Sequence, residues 1–125
     1  MQVLLIDDER AIRRALREIL EFEGCLVDEA ENGAQALEKL KANTYDLLFS
    51  DIKMPQMDGL ELLDQILALG IETPVIMISG HGTVETAVGA IKKGAFDFIE
   101  RPLDLSRILV LLRQVKDRNL LVQET

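Results

Sequence analysis

Five short apolar runs alternate along this chain with stretches of helical periodicity, and that alternation limits the possible folds to very few. The runs are Val3 to Ile6, Cys25 to Ala30, Leu47 to Ser50, Val75 to Ile78 and Phe96 to Ile99. Between them, apolar residues recur at helical spacing: Ile12, Leu16, Ile19 and Leu20; Ala34, Leu37 and Leu40; Leu60, Leu63, Ile66 and Leu67; Val84, Ala87, Val88 and Ile91. Leu105, Ile108, Leu109 and Leu112 set a fifth helix after Asp104. Turn residues separate the elements at Gly24, Asn32-Gly33, Met54-Pro55 with Asp58-Gly59, the Gly80 and Gly82 that flank His81, and Gly94. Strands alternating with helices read as a parallel sheet covered on both faces. Val75 to Ile78, opened by Pro74, has the unbroken apolar character of a doubly covered strand, whereas Cys25 to Ala30 has the mixed polarity of an edge. Right-handed crossovers leave few topologies, and the expected one is a doubly wound α/β fold: a five-stranded parallel sheet in order 2-1-3-4-5 with five helices.

Composition excludes several functions. The chain has 125 residues, enough for one domain with a real core, and is 48% apolar, which argues against disorder. Its net charge of −8 speaks against gripping a phosphate backbone, so no direct nucleic-acid binding is expected. The single cysteine, Cys25, has no internal disulfide partner and reads as a small buried residue. The first apolar run stops at Asp7 and no stretch is long enough to span a bilayer. The expected location is therefore the cytoplasm, with no membrane contact.

Chemistry concentrates where the strands end. Asp7 and Asp8 close the first run and Asp51 closes the third. Carboxylates at the C-terminal ends of neighbouring parallel strands meet at the edge where open α/β sheets bind ligands. Such a cluster repels itself unless a cation joins it, and a hard ion such as Mg²⁺ suits oxygen donors. Ser79 closes the fourth run and Arg101 follows the fifth, so three acids, a hydroxyl and a cation surround one crevice. His81 is the only histidine, which leaves a Ser or Cys nucleophile without a placed base, and no glycine-rich phosphate cradle follows the first strand. The set suits a carboxylate that accepts a phosphoryl group.

These residues resemble the receiver domain of a bacterial response regulator. The motifs are Asp-Asp-Glu at 7–9, Ser-Asp-Ile-Lys-Met-Pro-Gln-Met-Asp-Gly at 50–59, Ser79, and a basic residue before Pro102. The stretch MISGHGTVETAVGAIKKGAFDFIERPL, Met77 to Leu103, further resembles receivers of the NtrC class, which precede an ATPase module that activates sigma-54 transcription. The resemblance implies a flavodoxin-like receiver fold over residues 1–118, with 119–125 beginning a connector helix or tail. It implies that Asp51 is the phosphoacceptor. Asp8, Asp51 and the Lys53 backbone carbonyl would hold Mg²⁺, and Asp7 would act through water; the Lys53 side chain reads as a solvated loop charge. Ser79 would be the switch hydroxyl and Phe98 the aromatic switch residue, here without a hydroxyl, or else a fixed strand residue. Arg101 stands where the family has Lys, a longer, planar and permanently charged replacement. The bond before Pro102 would be cis.

The resemblance also implies a sensor histidine kinase as phosphodonor and a protein that catalyses only the phosphorylation and dephosphorylation of its own aspartate. Output through the face of helix four, strand five and helix five would control homodimerisation and a C-terminal ATPase and DNA-binding output region. Val110 and Leu111 add apolar surface to helix five beyond one core stripe, as a partner face or a wide core contact would. Three alternatives remain at this level. A haloacid-dehalogenase phosphatase places an Asp-x-Asp pair where Asp7 and Asp8 are adjacent. A flavodoxin-like electron carrier would meet an acidic first loop and few aromatics. A degenerate receiver would act as a docking module without phosphate.

Overall fold

A computed structural model describes residues 1–80 and 83–124; His81 and Gly82, read above as part of a loose turn, lie outside the described residues, as does Thr125. The elements follow in the order β1 (Gln2–Ile6), α1 (Arg10–Phe22), β2 (Leu26–Ala30), α2 (Gly33–Ala42), β3 (Leu47–Asp51), α3 (Gly59–Ala68), β4 (Val75–Ser79), α4 (Val84–Lys93), β5 (Asp97–Glu100) and α5 (Leu105–Glu124). All neighbouring strands are parallel, in the expected order β2-β1-β3-β4-β5.

The period of two along each strand divides the core in two. Leu4, Ile6, Leu48 and Met77 point toward α2, α3 and α4, where they meet Ala36, Leu40, Leu62, Leu63, Ile66, Ala87 and Ala90. Val3, Leu5, Leu47, Phe49, Ile76 and Ile78 point the other way, onto Leu16 and Leu20 of α1 and Ile108, Leu111, Leu112 and Val115 of α5. The central runs are apolar throughout because both faces are covered. Edge strand β2 is mixed because its acids are bonded: Tyr45 donates to Asp28, and Arg13 and Arg17 donate to Glu29.

Three sequence readings change. Leu111 is fully buried while Leu105 is 53% exposed, so the core stripe of α5 is 108, 111, 112 and 115, and only Val110 of the extra pair faces outward. The apolar residues of α5 cover more than one stripe, so periodicity alone left the phase of the helix open. Asn32 and Asp58 are not simply turn residues: each caps a helix, accepting from the backbone N–H of Gln35 and Glu61, both at 2.9 Å. Gly33 and Gly59 are accordingly the first residues of α2 and α3. Finally, α1 buries Arg13 in line with Leu16 and Leu20, while Ile12 and Ile19 lie at the margin of the core.

Candidate functional site

The C-terminal ends of β1, β3, β4 and β5 bring the polar residues together. Asp7 follows β1 and is buried, Asp8 beside it is exposed, and buried Asp51 is the last residue of β3. One carboxylate oxygen from each of Asp7, Asp8 and Asp51 lies within 4.8 Å of the others, an all-oxygen set able to hold a metal ion. Buried Ser79 ends β4 beside them. The Arg101–Pro102 peptide is cis, and Arg101 turns back over the acids. Its Nη2 lies 3.0 Å from Asp7 Oδ2 and 3.2 Å from Asp51 Oδ2, and its Nη1 donates to Glu9 Oε1 at 2.9 Å.

Close packing fixes the strand end that carries Asp51. Gly59 begins α3 so near to β3 that a Cβ there would stand 2.4 Å from the Asp51 carbonyl oxygen and 2.9 Å from Ile52 Cα. Only glycine permits this approach, in which the Gly59 N–H donates to the Ile52 carbonyl at 2.7 Å. The Asp-Gly pair thus clamps the loop under the acid as well as opening a helix.

Electrostatics follow from burial. The Asp7 carboxyl is pushed up to about 6, chiefly by burial and further by Asp51 and Asp8, against the opposing Glu9 N–H and Arg101. Asp51 is raised as well, again chiefly by burial, with Asp8 and Glu9 adding to it and Arg101 opposing. Burial works against the charge on Arg101, but Glu9, Asp51 and Asp7 outweigh it and raise its pKa. The crevice therefore favours a cation. Among the described residues, two buried side-chain polar atoms have no protein partner, Ser79 Oγ and Arg101 Nε. A buried hydroxyl without a bond is costly, and an arriving ligand oxygen would relieve it.

The remaining sequence candidates lie nearby. Lys53 is exposed, with its side chain in no ion pair among the described residues. Phe98 is partly buried against the α2–α3–α4 side of the core, and Arg107 donates to its carbonyl at 3.4 Å. Sequence reasoning missed two participants. Glu9, quoted only as part of a motif, anchors Arg101 across 92 residues of chain. Arg13 donates through Nη1 to the Asp7 carbonyl. Its one signal was position: a charge three residues before Leu16 and seven before Leu20 on an apolar stripe.

A doubly wound sheet with an acid trio, a hydroxyl and a basic residue at its C-terminal edge defines a receiver-type architecture, and comparison with known proteins agrees. The family model of the response regulator receiver domain matches residues 3–113. The chain belongs to that family. It is 41% identical over 122 residues to the C4-dicarboxylate transport transcriptional regulatory protein DctD of Rhizobium meliloti, covering 98% of this chain and 26% of that protein. It is 46% identical over 111 residues to the nitrogen assimilation regulatory protein NtrX of Azorhizobium caulinodans, covering 87% of this chain and 24% of the relative. The crystal structure of the NtrX receiver domain from Brucella abortus superposes with a TM-score of 0.86 at 41% identity, over 90% of this chain and 96% of that one. The chain thus spans about a quarter of the length of the DctD and NtrX relatives. Among the described residues, no helix is long and apolar enough to cross a membrane.

Proposed function

We propose that residues 1–118 act as a phosphoacceptor receiver: Asp51 accepts a phosphoryl group from a phosphohistidine on a sensor kinase, with Mg²⁺ held by Asp8, Asp51 and the Lys53 carbonyl, and by Asp7 through water. The observation that carries this reading is the buried Asp51 carboxylate, within 4.8 Å of two further acids and 3.2 Å from Arg101. In the transfer, the phosphorus–nitrogen bond of phosphohistidine breaks as an Asp51 oxygen bonds to phosphorus. When bound, the ion supplies charge neutralisation to the acids and the phosphoryl oxygens. Arg101 and the unpartnered Ser79 hydroxyl are the donors available to those oxygens. Their inward shift, with Phe98 following, would repack the α4–β5–α5 face, where Val88, Ile91, Leu105 and Val110 are exposed, and so control homodimerisation. Residues 119–124 continue α5 and would lead as a connector to a sigma-54-type ATPase and DNA-binding output. The names of the relatives, which are transcriptional and nitrogen-assimilation regulators, support that class of output.

The test is intact mass after incubation with acetyl phosphate and Mg²⁺, for wild type and Asp51→Asn. The expected result is a gain of one phosphoryl group in wild type only. One observation favours a second reading, a phosphate-independent docking module: the Arg101 guanidinium already supplies positive charge to Asp7, Asp51 and Glu9. Failure of both acetyl phosphate and a phosphohistidine donor, with metal binding intact, would sink the phosphoacceptor reading and leave that alternative.

A further inference from the structure

The buried charge that phosphoryl transfer leaves unused is Arg13, only 7% exposed. A cation this buried requires specific partners. It has the Asp7 carbonyl at Nη1 and Glu29 Oε1 at 2.9 Å from Nε, with Glu31 Oε1 at 3.9 Å from Nη2. Glu29, on β2, also accepts from Arg17 Nη1 at 2.6 Å. Burial opposes the charge on Glu29, but the bonds from Arg17 and Arg13 outweigh it and hold its carboxyl below the usual range. The guanidinium is therefore a brace between the sheet edge and the backbone of Asp7.

That brace completes the fixing of Asp7. Its N–H donates to the Ala30 carbonyl at 3.1 Å, its Oδ1 accepts from the Glu9 N–H at 2.8 Å and its Oδ2 accepts from Arg101 at 3.0 Å. With Arg13 on its carbonyl, every polar atom of Asp7 is bonded.

We propose that Arg13 is a positioning residue for the acidic cluster: by holding the Asp7 carbonyl against Glu29, it sets the direction in which the Asp7 and Asp8 carboxylates meet a divalent cation. The proposal rests on the metal-assisted reading above. It also predicts a sign that electrostatics alone would reverse. Deleting a positive charge beside an acid cluster should tighten cation binding; loss of the brace should weaken it.

The experiment is Mn²⁺ titration of the 125-residue chain, read as the loss of the free-ion paramagnetic resonance signal. The proteins are wild type, Arg13→Lys, Arg13→Met, Glu29→Gln, Glu31→Gln and Tyr45→Phe, with circular dichroism to verify folding. Both Arg13 variants are expected to bind about 10-fold more weakly, the size of effect typical of groups that orient metal ligands. Glu29→Gln keeps the guanidinium and removes its anchor, but also a negative charge. It serves as the test, if the Arg13 variants do not fold, by losing more than Glu31→Gln, which removes an equal charge beside the same guanidinium at 3.9 Å. Tyr45→Phe breaks the bond to Asp28 on the same strand without reaching the crevice, and should bind as wild type does. Equal or tighter binding by Arg13→Met, or a Glu29→Gln loss no larger than that of Glu31→Gln where the Arg13 variants are unfolded, would overturn the brace and leave the metal reading intact. Absence of Mn²⁺ binding to wild type would overturn both.

Discussion

The two halves of the crevice are built differently. On the β1 and β3 side, Asp7 is bonded at every polar atom and the backbone beneath Asp51 is wedged against Gly59. On the β4 and β5 side, Ser79 Oγ and Arg101 Nε are buried without partners, and Arg101 shares one nitrogen between two carboxylates. The proposed phosphoacceptor role, in which the site binds an ion and reports a covalent change, would need both characters. The acids have to stay fixed, because a small misplacement of a ligand weakens both binding and catalysis. The reporting side has to retain unmet hydrogen-bonding capacity, so that a new anion changes the balance between two arrangements close in energy.

The largest expected effect breaks the rigid half. Gly59→Ala would drive a Cβ into the Asp51 carbonyl and Ile52 Cα, both backbone atoms with no freedom to yield, and should cost about 3 kcal/mol in denaturant unfolding. A cost near zero would mean that the strand end carrying Asp51 is pliable, and the contrast between the halves would collapse.

Titration of Asp7 gives the next effect. Its folded pKa, about 6, lies above the ordinary aspartate value of 3.8, so the folded state holds the proton more tightly between these values. The contribution of Asp7 to metal-free stability therefore falls as pH rises from about 4 to about 6. It is unfavourable by up to about 3 kcal/mol above that window and vanishes below it. Comparing urea unfolding of wild type and Asp7→Asn across this range in chelator isolates the group, since Glu29, whose pKa is lowered, contributes in the opposite sense. A pH-independent difference between the two proteins would contradict the burial that the structure assigns to Asp7.

Smaller still is the cap on α3. Asp58→Ala removes the acceptor for the Glu61 N–H and should lower stability by about 1 kcal/mol. Ser79→Ala closes the series and sharpens the contrast most, because its hydroxyl has no bond to lose. Stability should change by less than about 0.5 kcal/mol, or rise, whereas the change in oligomeric state on phosphorylation, followed by light scattering, should be lost. A stability loss as large as that of Asp58→Ala would show that the reporting half is as firmly bonded as the other.

Much of this was legible in the primary structure. Apolar runs of strand length, interrupted by helical periodicity, specify alternating elements, and the handedness of crossovers then leaves few strand orders, among them the one observed. An acid that closes such a run must emerge at the sheet edge, so Asp7, Asp8 and Asp51 meet once β1 and β3 are neighbours in the sheet. Helix phase was less legible. In α5 the apolar residues cover so much of the circumference that the sequence permits several orientations, and packing against β1, β3 and β4 chose the one that buries Leu111 and exposes Leu105. Arg13 was passed over because nothing local beyond its position marks a charged residue as buried; its carboxylate partner Glu29 is supplied by β2.

Sequence by itself thus determined the order of elements, a short list of sheet topologies and the edge at which the acids gather, because those depend on short-range periodicity and chain connectivity. Tertiary structure decided which atoms bond there. The reach of Arg101 to Glu9 and of Arg13 to the Asp7 carbonyl and Glu29 spans chain separations of 92, 6 and 16 residues. Long, flexible side chains have no local code for such contacts; they take the geometry that satisfies buried charge once the sheet and its helices have closed around it.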